Sequence, residues 1–274
     1  MDTGKGRIRR ALFFDVDGTL LSEQDRRIPD SAVRALRAAR RRGCLVFVNT
    51  GRTYCNLNRE LEVLETDGVV CGCGTHIVAE GRELYHYSLP HAQGVRLKRD
   101  IEACGLDGIL EGAAGCYGRG DSWMPEILWL KEKLRAAGCL SEKDWGREDY
   151  EFDKCYLKAG AESRPEELFG RMDFMDVIDR GEGYFECVPQ GHTKATGIKR
   201  VLKEYGLPRE SAYVFGDSSN DLSMFQYAPN CILMGKHSPV LEPYATFLTK
   251  EVEADGIAYA LLRLGLIERG DMEP

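Results

Sequence analysis

Residues 13–20 read FFDVDGTL, and this short stretch decides the fold. An apolar run, Leu12-Phe13-Phe14, ends at the acidic residue Asp15, as expected of a strand that is buried on both faces of a parallel sheet. Two further apolar runs, at residues 44–48 and 212–215, also end in short polar loops. Because helical patterns alternate with these runs, we predict an α/β protein with a Rossmann-like parallel sheet and right-handed crossovers.

Two helices are predicted beside these strands. The first should begin at an Asp30 cap and end at Gly43. The second is indicated by i, i+3, i+4, i+7 spacing of apolar residues, which are Ile198, Val201, Leu202 and Tyr205. Between the two α/β regions, residues 89–189 have a different character, with three tryptophans and short alternating segments. We predict an inserted α+β domain there.

Composition excludes several classes of protein. The chain has 274 residues, 43% of them hydrophobic and 30% charged, with a net charge of −7, which disfavours a disordered chain and nucleic acid as a general partner. No apolar run approaches the ~20 residues that span a bilayer, and the first ten residues lack the apolar segment of a secretory signal, so we expect a cytoplasmic protein. The ten cysteines include no CxxC pair. We therefore expect small buried thiols and no zinc site.

Candidate functional residues lie where the predicted strands end. Asp15 and Asp17 follow one strand, and Asp217 and Asp221 follow another; parallel strands bring such ends to one crevice. Four carboxylates would repel one another there unless they bound a cation, and oxygen ligands without His or Cys favour Mg²⁺. Either pair alone would be read as loop aspartates that make local turn bonds.

A phosphate site is predicted beside the acidic residues. Thr50 offers a hydroxyl, Gly51 an unobstructed backbone N–H, and Lys194 a mobile ammonium charge. Each alone is typical of a turn or of a surface lysine, so only their combination carries the interpretation. The sequence contains no GxxxxGK[ST] motif, which excludes a P-loop nucleotide site.

Four motifs together resemble the haloacid dehalogenase superfamily of aspartate-nucleophile phosphatases. They are FFDVDGTL, NTGR, the lysine of GHTK, and GDSSNDLSMF. The long insertion between the second and third motifs resembles subclass IIB, the Cof-like phosphatases, in which it forms an α+β cap that selects the substrate. The resemblance implies a catalytic core of residues 1–88 and 190–274 and a cap of residues 89–189.

The resemblance also implies a role for each motif residue. Asp15 would be the nucleophile, would form an aspartyl phosphate and would ligate Mg²⁺. Asp17 would protonate the leaving oxygen and then activate water, with its backbone carbonyl on the metal. Asp217 would complete the metal site, and Asp221 would support it. The phosphate- and substrate-binding residues would be Val16, Gly18, Thr19, Thr50, Gly51, Arg52, Lys194 and Asn220.

One departure concerns the loop after residues 68–71. Cof-like sequences usually show Asn-Gly there, whereas this chain has Cys73-Gly74-Thr75-His76. Arg52 lies close enough to the phosphate loop to reach substrate, while His76 is better interpreted as a structural histidine.

The predicted function is hydrolysis of a small phosphorylated metabolite, a sugar phosphate or a phosphorylated cofactor, with Mg²⁺ and without nucleic acid or membrane partners. A phosphomutase or phosphotransferase acting on a sugar phosphate is the enzymatic alternative. A non-catalytic binding module is a further alternative, which the complete motif set disfavours. The sequence leaves open whether the protein is a monomer or a homodimer.

Overall fold

A computed structural model describes residues 9–57, 59–143, 145–146 and 150–272. The chain begins with strands and one helix, in an order that matches the predicted alternation up to β3. These elements are β1 (Ala11–Phe14), α1 (Asp30–Arg41), β2 (Leu45–Asn49), β3 (Gly68–Cys71), β4 (His76–Ala79) and β5 (Arg82–His86). β1 and β2 are buried along their whole length, because each has sheet neighbours on both sides and side chains packed on both faces.

Residues 89–189, here called the inserted segment, contain three helices and six strands among those that the structure describes. In order they are α2 (His91–Ala103), β6 (Leu106–Glu111), β7 (Cys116–Arg119), α3 (Pro125–Ala136), β8 (Leu140–Lys143), β9 (Lys154–Ala159), α4 (Pro165–Arg171), β10 (Met175–Gly181) and β11 (Tyr184–Pro189). The predicted alternating strands are thus present as β9 and β11.

The α/β pattern then returns. The remaining elements are α5 (Lys194–Glu204), β12 (Ala212–Gly216), α6 (Leu222–Tyr227), β13 (Asn230–Leu233), β14 (Phe247–Leu248) and α7 (Gly256–Arg263). The predicted apolar face of α5 is confirmed, since Ile198, Val201 and Leu202 are all buried.

The strands form two sheets. The first has eight strands in the order β14-β13-β12-β1-β2-β3-β4-β5. Its members from β14 to β3 are parallel, which confirms the predicted parallel core, whereas β4 and β5 continue it as an antiparallel hairpin that the sequence did not indicate. The second sheet, in the order β10-β11-β9-β6-β7-β8, is drawn wholly from the inserted segment and is antiparallel except between β7 and β8.

Each sheet carries its own hydrophobic packing. Side chains from α1 and α7 cover one face of the eight-stranded sheet, and side chains from α5 and α6 cover the other. A separate cluster joins α2 and α4 to the six-stranded sheet. Within the described ranges, no helix is both long enough and apolar enough to cross a membrane.

Two local predictions can be compared with the structure at α1. The predicted cap at Asp30 is wrong: Pro29 occupies the cap position, Asp30 is the first helical residue, and no side chain caps the helix. Pro29 has φ of −57°, within the narrow range that its ring fixes, and its extended ψ of 137° keeps it outside the helix. The predicted end is confirmed, because Gly43 follows the helix with a left-handed φ of 86°.

Candidate active site

The site lies at the carboxyl ends of three neighbouring strands. Asp15 directly follows β1, Thr50 follows β2, and Asp217 follows β12. The backbone N–H of Asp15 donates to the Phe215 carbonyl over 3.0 Å, and that of Thr50 donates to Val70 over 2.8 Å. Because these bonds prolong the parallel pairing past the strand ends, the three loops open on the same edge of the sheet.

Lys194 reaches this edge from the first turn of α5. The preceding residue, Thr193, forms a capping box with Thr196 that begins the helix. The Lys194 ammonium is fully buried and donates to Asp15 Oδ1 over 2.6 Å and to Asp221 Oδ1 over 2.5 Å. These two carboxylates raise the pKa of Lys194 against the opposing effect of its burial, so the lysine is held as a cation.

Three carboxylates form a cluster around that lysine. Asp15, Asp217 and Asp221 place one oxygen each within 4.8 Å of one another. Asp217 accepts a 2.7 Å hydrogen bond from Thr19, while the second oxygen of Asp221 accepts from the backbone N–H groups of Asp217 and Ser218. Asp221 therefore stabilises the loop at residues 217–218, whereas Asp15 and Asp217 keep oxygens that face the cluster.

Glycine is required where the two acidic loops approach each other. Gly18 has φ of 81°, and a Cβ placed there would lie 2.5 Å from Asp217 Oδ2. Its N–H donates to the Leu21 carbonyl over 2.9 Å. In this structure Gly18 and Thr19 therefore shape the loop and hold Asp217.

The electrostatics of the cluster favour a bound cation. Burial raises the pKa of Asp15 to about 7; the Lys194 charge opposes this rise, and repulsion from Asp221 adds to it. Burial and then repulsion from Asp15 and Asp221 raise the pKa of Asp217 to about 8. A divalent cation would neutralise this repulsion, and a donor set made only of oxygens suits a hard ion. The residues present therefore fit a divalent metal.

Asp17 is not one of the three clustered carboxylates, and it pairs with arginine. Arg52 donates to both Asp17 oxygens, over 2.8 and 2.6 Å, and Arg26 donates to one of them over 2.9 Å. Burial alone would raise the pKa of Asp17, but the hydrogen bonds and charge of Arg52, followed by those of Arg26, bring it below its ordinary value. In this arrangement Asp17 is a carboxylate that can accept a proton, and Arg52 contacts it directly.

The remaining predicted phosphate ligands lie close by. The Asn220 amide oxygen accepts from Lys194 over 3.2 Å. A Cβ at Gly51 would lie 3.3 Å from Asn220 Nδ2, so these two residues face each other. Thr50 is buried, and its hydroxyl accepts from the Arg52 N–H over 3.2 Å. Val16 is buried, and its carbonyl accepts three N–H groups of the loop up to Leu21.

Two charged residues of the inserted segment, which the sequence analysis missed, also reach the site. Lys154, at the start of β9, donates to the Gly51 carbonyl over 3.0 Å and to Glu186 of β11 over 2.6 Å. Burial would raise the pKa of Glu186, but the Lys154 charge brings it down to about 2. The Asn220 amide lies 3.5 Å from Glu186 Oε2. Both residues occur in predicted strands, but only the antiparallel register of β9 and β11 turns them toward the core.

The unusual loop at residues 73–76 touches the same network. Cys73 has φ of 55°, a left-handed conformation that asparagine adopts more readily than cysteine. Its thiol donates to Glu186 over 3.2 Å, and its N–H donates to the Thr50 carbonyl over 3.1 Å. The departure from Asn-Gly therefore falls between the phosphate loop and the inserted segment.

His76 lies outside this network. It is buried at the start of β4, bonds Glu83 over 3.0 Å and stacks on His86. His76, Glu83 and His86 form the second group of possible metal ligands among the described residues. His86 already shares its Nε2 with Asp153, so both histidines have carboxylate partners.

Known proteins resemble this chain in both sequence and structure. The model of the haloacid dehalogenase-like hydrolase family matches residues 12–261. The "Putative phosphatase YkrA" of Bacillus subtilis (strain 168) is 29% identical over 263 residues, which cover 94% of this chain and 99% of the relative. The 5-amino-6-(5-phospho-D-ribitylamino)uracil phosphatase YcsE of that organism is 23% identical over 253 residues, covering 92% of this chain and 94% of the relative. In structure, the HAD subclass IIB sugar phosphatase BT4131 superposes with a TM-score of 0.83 at 23% identity, over 94% of this chain and 100% of that one.

Proposed function

The chain belongs to the haloacid dehalogenase-like hydrolase family and is a phosphatase, and on this premise we propose that it hydrolyses a small phosphorylated metabolite with Mg²⁺ through an aspartyl phosphate on Asp15. The substrate class is a sugar phosphate or a phosphorylated cofactor. The observation that carries the proposal is the position of Asp15. It is buried at the end of β1, bonded to Lys194 and within 4.8 Å of Asp217 and Asp221.

We propose that Asp15 attacks phosphorus while Lys194, Asn220 and the Gly51 N–H hold the phosphoryl oxygens. A carboxylate nucleophile divides a difficult hydrolysis into two easier displacements. Asp15 and Asp217, with the backbone carbonyl of Asp17, would hold Mg²⁺, and Asp221 would orient Lys194 and the Asp217 loop. When bound, the ion supplies positive charge that stabilises the transferring phosphoryl group.

Asp17 acts as acid and base only after its partner changes. The lowered pKa keeps Asp17 ionised, which makes it a weak base for water in the second step and opposes proton donation in the first. Arg52 is adjacent to the phosphate loop, and its guanidinium prefers a doubly charged phosphate. We therefore propose that the bound phosphate draws Arg52 away from Asp17, which raises the pKa of Asp17 and lets it protonate the leaving oxygen.

The inserted segment is proposed to be the cap that selects the leaving group, with the core as residues 1–88 and 190–274. Its support is that Lys154 and Glu186 contact the Gly51 carbonyl and approach Asn220, and that Arg180 of β10 lies 3.5 Å from Ser219. All four motifs lie outside the inserted segment. It therefore contributes contacts to the site without supplying the reacting groups.

Phosphate release tests the proposal. The purified protein should release phosphate from an aryl phosphate when Mg²⁺ is present and should prefer some members of a panel of phosphorylated metabolites. Asp15→Asn should abolish release because an amide of nearly the same shape is a poor nucleophile. Asp107→Asn, a carboxylate remote from the site, is the matched control and should stay active. Activity retained in Asp15→Asn, or isomerised sugar phosphate in place of free phosphate, would refute the proposal.

A further inference from the structure

Three cysteine thiols meet where the inserted segment contacts the core. Cys55 lies in the turn Tyr54–Asn56, three residues beyond Arg52. Cys116 begins β7, and Cys139 immediately precedes β8. The sulfurs of Cys55 and Cys116 are 3.7 Å apart. These two thiols therefore join the turn that follows the phosphate loop to the six-stranded sheet.

The surroundings hold the two sulfurs in this position. The buried Thr53 hydroxyl lies 3.7 Å from the Cys55 sulfur and 3.9 Å from the Cys116 sulfur. The Cys55 thiol donates to the Gly112 carbonyl over 3.2 Å, and the Cys116 N–H donates to the Cys139 carbonyl over 2.8 Å. Cys116 is fully buried, whereas Cys55 is partly exposed, so a small solute reaches the cluster through Cys55.

The third thiol, Cys139, packs in the same apolar cluster as Cys55 and Cys116. Hydrogen bonds from Cys116, and then from Cys55, lower the pKa of Cys139 below its ordinary value. The hydrogen bond with Cys116 lowers the pKa of Cys55, but the hydrogen bond with Cys139 and burial raise it to about 11, so Cys55 rests as a thiol. The 3.7 Å separation of the Cys55 and Cys116 sulfurs is therefore what favours a link between them. All ten cysteines of the chain are free in this structure, so the thiols are available for reaction.

We propose that Cys55 and Cys116 form a redox modification site, which takes a hydroperoxide as its oxidant and closes to a disulfide between the core and the inserted segment. The Cys55 thiol attacks the peroxide; an S–O bond forms, the O–O bond breaks, and the leaving oxygen departs as water or alcohol with the thiol proton. The Cys116 thiol then attacks the Cys55 sulfur; the S–S bond forms, the S–O bond breaks, and water leaves with the Cys116 proton. Two thiols lose two electrons, and one peroxide gains them.

The disulfide restrains the movement that turnover requires. This consequence rests on the proposed function, because it assumes that substrate must reach Asp15. Asp15 is only 5% exposed, and Lys154 of the inserted segment is bonded to the Gly51 carbonyl. Substrate therefore enters only when the two parts of the chain separate, and a Cys55–Cys116 link would hold them together. We expect oxidation to lower kcat about tenfold or more, as a gating step would, and a thiol reductant to restore it.

Peptide mapping after a small molar excess of hydrogen peroxide tests the site without reference to activity. Wild type should yield a peptide pair joined through Cys55 and Cys116, and the joined pair should disappear on reduction. Cys55→Ser should lack the joined pair, keep its activity in reducing buffer and resist inactivation by peroxide. Cys116→Ser should behave in the same way. Agreement between the two variants, both active in reducing buffer, would show that the result does not come from a folding defect in one of them.

The matched control uses the other neighbouring pair of cysteines. Cys155 and Cys187 are partners in the register of β9 and β11, within the inserted segment. Cys187→Ser should still be inactivated by peroxide. Absence of the Cys55–Cys116 peptide pair, a link between Cys116 and Cys139 in its place, or full activity of the linked protein would overturn the proposal. Inactivity of the reduced wild type would instead count against the proposed function, while the peptide map would still decide the site.

Discussion

Replacing Asp217 with asparagine should make the metal-free protein more stable and its catalysis far slower. Asp15, Asp217 and Asp221 lie within 4.8 Å of one another, and burial with repulsion from Asp15 raises the pKa of Asp217 to about 8. Asparagine keeps an oxygen that can accept the 2.7 Å hydrogen bond from Thr19. The substitution therefore removes mainly the ionisable group, whose charged form is disfavoured in the folded protein.

The expected gain follows from the pKa shift. At pH 7, raising the pKa of Asp217 from 3.8 to about 8 costs the ~3 pKa units that lie between 3.8 and 7, which is at most ~4 kcal/mol at ~1.4 kcal/mol per unit. Partial exposure and screening reduce the net effect to about 1–2 kcal/mol. In a protein of this size each kcal/mol shifts Tm by about 2–4 °C, so Tm in EDTA should rise by about 2–8 °C.

The pH dependence has a defined sign. The folded-state pKa values of Asp15 and Asp217, about 7 and about 8, lie above the ordinary value of 3.8. The folded state therefore binds more protons between pH 4 and about 8, and stability is lost as pH rises through that window. The Tm of the metal-free wild type should fall between about pH 5 and pH 8.5, and that of Asp217→Asn should fall less. Saturating Mg²⁺ should stabilise the wild type much more than the variant.

Thermal unfolding in EDTA and in Mg²⁺, with phosphate release measured in parallel, checks this prediction. Asp107→Asn is the control, because Asp107 is a buried carboxylate that accepts from the Ser122 hydroxyl and three backbone N–H groups. Loss of that charge should lower Tm. If Asp217→Asn also lowered Tm in EDTA, or if the Tm of the metal-free wild type did not fall with pH, the carboxylates would not repel one another as argued.

Three further outcomes are expected. EDTA should stop phosphate release and Mg²⁺ should restore it, whereas Ca²⁺ should not, because Ca²⁺ prefers more ligands at longer distances; full activity in metal-free buffer would contradict this. With an aryl phosphate, Asp17→Ala should give a stoichiometric burst of phenol and then a slow steady state. The reason is that the phenol leaves without help from an acid, whereas the attacking water lacks its base. Rapid-quench kinetics and intact-mass measurement would detect the burst. Equal losses on aryl and alkyl phosphates without a burst would reject that role. Lys154→Met should lower the free energy of unfolding by about 3–5 kcal/mol in urea titrations, because Glu186 is left buried without its cation. Lys154→Met/Glu186→Leu should recover part of that loss. An unchanged free energy of unfolding in Lys154→Met would show that the pair contributes little.

The sequence by itself determined the core and the residues that converge on its edge. Short apolar runs predict β1, β2 and β12, because a strand that is buried on both faces is apolar at nearly every position. The polar loops that follow them must open on one side, since parallel strands share a direction. For this reason the sequence alone places Asp15, Thr50 and Asp217 together, and the family motifs agree with that placement.

Only the tertiary structure decided which partners these residues have. Asp17 and Arg52 lie 35 residues apart, Lys154 and Gly51 103 apart, and Cys55 and Cys116 61 apart. Each pairing depends on the register of strands or on how the inserted segment meets the core, and neither leaves a periodic signal in the chain. An antiparallel register shifted by one residue would turn Lys154 and Glu186 to the opposite face of their sheet. Long-range packing therefore determines the contacts that set the charge of Asp17, cover the phosphate loop and bring the thiols together. Local sequence patterns do not encode such contacts.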